Sequence, residues 1–83
     1  MGRYVKALDI IREAASEIAV MVKSSGGLGG TTVSDLVRNP NVVDLAMLRG
    51  RVSVYEDEIG EYDTEVLLVR ETEAAIRRFE AKR

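Results

Sequence analysis

VVDLAMLRGRVSVYEDEIGEYDTEVLLVRETEAAIRRFE, residues 42 to 80, is the stretch whose reading decides the fold. Numbered in sevens from Leu45, its first and fourth positions are Leu45, Leu48, Val52, Tyr55, Ile59, Tyr62, Val66 and Val69, and later Ile76. Eight consecutive slots are apolar before Glu73 breaks the run. The fifth position is Arg49, Glu56, Asp63, Arg70 and Arg77, charged in every heptad. The second is mostly small: Ala46, Ser53, Gly60, Leu67 and Ala74. A sevenfold pattern on both the apolar and the polar side predicts one long helix, about 60 Å if unbroken at about 1.5 Å per residue.

The same stretch supports a rival reading. Gly50 could end a helix begun at Pro40, and residues 51–56 and 62–69 are rich in β-branched side chains. Residues 57–61 would then be a hairpin loop, and Thr72 would cap a last helix over 73–82. Three helices, a hairpin and a helix is a winged-helix-like α+β order. Local propensity favours this rival between residues 50 and 66. The charges at 49, 56, 63, 70 and 77 favour the continuous helix, because a hairpin has no reason to keep them.

Working outward, Asn39-Pro40 marks the start of the long segment, with Asn as cap and Pro in the first turn. Residues 31–38 are expected to form a short helix capped by Thr31 or Thr32, with Asp35 as the capping-box acid if Thr32 is the cap. Four glycines in the five residues 26–30 stop whatever helix precedes them. They make no phosphate cradle: a P-loop needs a Lys-Ser/Thr pair after its second glycine, and the dinucleotide fingerprint needs a preceding strand. Over residues 3–24, Tyr4, Leu8, Ile11, Ala15, Ile18 and Val22 alternate by fours and threes, which is helical spacing. Residues 18–22 are apolar all round, and that end is expected to be covered by neighbouring protein. The expected fold is a single all-α domain, 1–83: a helical hairpin of a helix over about 3–24, a Gly-rich turn and a long helix over about 40–82.

Composition narrows the function. No cysteine and no histidine are present, which removes thiolate metal sites and the commonest general base. No catalytic constellation occurs, so no enzyme, cofactor or metal is expected. Glutamine is absent and asparagine occurs only at 39 and 41, and with abundant Glu and Arg this is a hyperthermophile-like composition. The longest uninterrupted apolar run, 18–22, is too short to span a bilayer, and the N-terminus lacks a signal-peptide pattern. Glu56, Asp57, Glu58, Glu61, Asp63 and Glu65 crowd the middle and read as a solvated face. Arg77, Arg78, Lys82 and Arg83 complement the negative end of a helix dipole, and are also the candidate contacts for nucleic-acid phosphates. The formal net charge of −2 argues against simple polycation binding to nucleic acid.

Along 45–76 the apolar surface covers nearly four of every seven positions, about twice a two-stranded seam. The first helix is half as long and covers part of it. An oligomer is therefore expected, held by Leu45, Leu48, Val52, Tyr55, Ile59, Tyr62, Val66, Val69 and Ile76 with Leu8, Ile11, Ile18 and Val22, and open-ended if the contacts are heterologous. Two apolar helices, a Gly-rich turn over 24–30 and the charged 77–83 end resemble the coat proteins of filamentous and rod-shaped archaeal viruses. That resemblance implies a virion protein forming a helical array around DNA, with the chain itself as main partner and DNA as a candidate second. The alternatives are a winged-helix DNA-binding regulator and a small helical adaptor, which would place the protein in the cytoplasm.

Overall fold

The computed structural model describes residues 2–55 and 63–81. Its elements are α1 (Gly2–Ser24), α2 (Val33–Val37), α3 (Leu45–Val52) followed by a 3-10 turn (Ser53–Tyr55), and α4 (Asp63–Ala81). Among the described residues 79% are helical and none is in a strand. The all-α packing of two long helices against one another is what the chain adopts.

Helix α1 ends where the glycines begin, through a Schellman motif. The Gly27 N–H donates to Val22 O at 2.9 Å and the Gly26 N–H to Lys23 O at 3.2 Å. Gly26 takes φ +89°, a conformation that costs a side-chain-bearing residue about 1 kcal/mol or more. Leu28 then turns back onto the core. Thr32 caps α2, its hydroxyl accepting from the Asp35 N–H at 3.1 Å.

The long second helix starts later than expected. Asn39 Oδ1 accepts from the Asn41 N–H at 2.9 Å, and the N–H groups of Val42 and Val43 both donate to Asn39 O. Asn39 thus closes a turn instead of capping a helix. Asp44 is the cap, accepting from the Met47 N–H at 3.0 Å. Nor do α3 and α4 lie on one axis. On a single helix Leu45 and Ala81 would stand about 54 Å apart, whereas the Cα trace measures 37 × 26 × 14 Å. Their buried faces give a second argument. Leu48 and Val52 are buried on α3; Thr64, Leu68, Thr72 and Ala75 are buried on α4. At about 100° per residue these two sets would fall on roughly opposite sides of one straight helix. The rival hairpin is also not adopted over its described residues, since 51–55 and 63–69 are helical.

α1 and α4 make the main interface. Arg12 meets Glu71 at 3.1 Å, and Lys23 Nζ lies 5.0 Å from the centre of the Phe79 ring. Residue numbers rise together on both sides, so the two helices run in the same direction. α2 and α3 carry the chain back between them. The core joins Ala7, Ile11, Ala15, Ile18 and Val22 of α1 to Val33 and Val37 of α2, Leu48 and Val52 of α3, and Leu68 of α4. A trace 14 Å thick is about two helix layers deep.

Candidate self-association surface

The residues expected to form an intermolecular seam separate into three groups. Ile11, Ile18, Val22, Leu48 and Val52 are buried inside the subunit. Leu45, Tyr55, Val69 and Ile76 are partly buried and pack on the same core, and Leu8 is half-buried. Val66 alone of the described set is exposed, at 54%. Ile59 and Tyr62 lie outside the described residues, as do four of the central acids, Glu56, Asp57, Glu58 and Glu61. The subunit's own folding therefore covers most of the stripe that looked too wide for a monomer.

What remains uncovered is a different set. Val5, Val20, Met21, Met47, Val54 and Val66 are each 39% to 66% exposed. Residues 18–22 are covered only in part: Ile18, Ala19 and Val22 are buried by α1's own partners, while Val20 and Met21 face outward. On α1 the buried line 7, 11, 15, 18, 22 leaves Val5, Asp9, Ser16 and Val20 along the opposite side. On α4 the buried line 64, 68, 72, 75 leaves Val66, Arg70, Glu73, Arg77 and Ala81 outward. Of these, the expected self-association set held only Val66 and the expected phosphate contacts only Arg77. The available signal was Thr64-Leu68-Thr72 at fourfold spacing, with Ala75 next.

Charged side chains tie the helices to one another. Glu65 takes Arg38 Nε at 2.7 Å and has Arg49 Nη2 at 3.8 Å, joining the end of α2, α3 and α4. Arg51 reaches Glu13 at 3.8 Å, and the Arg3 guanidinium donates to Val54 O. The arginines of the three ion pairs are about half exposed or more, and each pair contributes at most about 1 kcal/mol. They orient helices more than they stabilise them.

At the far end of α1 and α4, Ala19, Val22, Lys23, Gly26, Gly27, Ile76, Phe79 and Glu80 line an open cleft of about 190 Å³. Arg77 and Arg78 are exposed with no ion-pair partner among the described residues. Lys82 and Arg83 lie outside the described residues. Among the described residues no group of His, Cys, Asp or Glu side chains is placed to hold a metal ion, and no helix is long and apolar enough to cross a membrane. The chain matches no protein-family model, no curated protein and no solved structure.

Proposed function

We propose that the protein is a structural, self-assembling subunit, and that its assembly is a helical coat around DNA. The observation that carries the first part is the thinness of the molecule together with what its long helices leave outside. A slab two helices deep buries little: among the described residues, four of the twelve buried apolar side chains are alanines. Its two longest helices nevertheless present outward lines bearing Val5, Val20 and Val66, each at least half exposed. A small domain with a thin core and apolar side chains on opposing outer faces gains stability by packing against copies of itself. DNA is supported by less: the exposed Arg77 and Arg78, without ion-pair partners among the described residues, with Lys82 and Arg83 following in sequence. Virion localisation rests on the same reading. Electron microscopy of concentrated protein, with and without duplex DNA, tests it. Regular rings or filaments are expected. Featureless fields at every concentration would leave the helical-adaptor reading in its place.

A further inference from the structure

The outward lines of α1 and α4 have the same spacing and complementary chemistry. On α1 the exposed residues Val5, Asp9, Arg12, Ser16 and Val20 follow one another at intervals of four, three, four and four. On α4 the exposed residues Val66, Arg70, Glu73, Arg77 and Ala81 follow at the same intervals. Laid side by side in the same direction, the two lines pair Val5 with Val66, Asp9 with Arg70, Arg12 with Glu73, Ser16 with Arg77 and Val20 with Ala81. Apolar meets apolar at both ends, and opposite charges meet at both charged levels between. Asp9, Arg70 and Glu73 have no ion-pair partner among the described residues. Arg12 is bonded to Glu71 but keeps 52% of its side chain exposed.

Resting on the self-assembly reading above, we propose that a second copy of this chain lays its α1 line along the α4 line in this register. Val5 is 50% exposed, Val66 54% and Val20 51%, so all three have apolar area left to cover. The contact is heterologous: each copy uses α1 on one side and α4 on the other. One free α1 and one free α4 then remain at the ends, and addition continues into a ring or an open helix. The two helices also run in the same direction within the subunit. There Arg12 meets Glu71; across the contact it meets Glu73, so successive copies add with little axial shift. The layer of parallel helices inside one subunit continues into the next.

Two charge reversals and their combination test the register. Asp9→Arg sets two cations against each other across the contact, and Arg70→Asp sets two acids. Each single variant should weaken association, read by sedimentation equilibrium, by about tenfold or more. The double variant restores an opposite pair between copies and should recover association to near the wild-type value, as should an equal mixture of the two single variants. All three variants change exposed positions only, and circular dichroism of each should match wild type. An oligomeric wild type whose single variants associate unchanged, or whose double variant stays weak, overturns this register while leaving self-assembly standing. A wild type that stays monomeric overturns both.

Discussion

Thr72 is fully buried on the core face of α4, and its hydroxyl has no hydrogen-bond partner among the described residues. A buried, unmade hydrogen bond of this kind costs about 1–3 kcal/mol. Valine has nearly the same shape and no hydroxyl. Thr72→Val should therefore leave stability unchanged or raise it by about 1 kcal/mol, read from the midpoint of a urea or thermal melt. Gly26 makes the opposite case. Among the described residues nothing lies within 4 Å of where its Cβ would stand, so a methyl group meets no neighbour there. Its φ of +89° is what a side chain resists. Gly26→Ala should destabilise by about 1 kcal/mol, and alanine at Gly50, a helical position with open space around its Cβ, should not. Equal melts for the two glycine variants would contradict the Schellman ending of α1.

At the scale of the element, the register of α4 is the sharpest difference between expectation and structure. Leu68 is fully buried and Val66 is 54% exposed. Leu68→Ala should cost about 2–5 kcal/mol, while Val66→Ala should stay within about 0.5 kcal/mol in the monomer. Chemical denaturation at low protein concentration separates the two, and the reverse order would restore the sevenfold register. The reason that register misled is physical. Residues 66–69 are four consecutive apolar side chains, so any line drawn through them reads as a core. The face that is buried carries Thr64, Thr72 and Ala75, two of them polar and one small. Pattern counting scores such a face as surface. In α3 no polar residue intervenes on the buried line, and Leu48 and Val52 are buried as their spacing implies. α1 and its stop were legible for equally concrete reasons: an unbroken fourfold and threefold alternation, then glycines that admit positive φ. The cap of α2 was legible as Thr31 or Thr32, and Thr32 takes it. The start of α3 was not, because Asn39 and Asp44 are both good caps, and only the turn closed on Asn39 O settles which one is used.

In the proposed assembly of the whole molecule, one set of residues holds copies together and another meets nucleic acid. The α1 and α4 lines carry the first role and the C-terminal cations the second, with Arg77 belonging to both. Changing Arg77, Arg78, Lys82 and Arg83 to alanine should abolish duplex binding, and each phosphate left unneutralised should reduce the magnitude of the salt slope by about 0.9. Assembly should persist, because Arg77 faces the neutral Ser16 in the proposed contact. Fluorescence anisotropy with labelled duplex at several salt concentrations reads the first outcome and light scattering the second. A variant that binds DNA like wild type would reduce the cluster to a helix-end charge. The most direct test of the central claim is sedimentation velocity on the wild-type chain from micromolar to millimolar concentration. Self-assembly predicts species well above the 9.2 kDa of one chain, growing with concentration. A single species at 9.2 kDa throughout that range would contradict it.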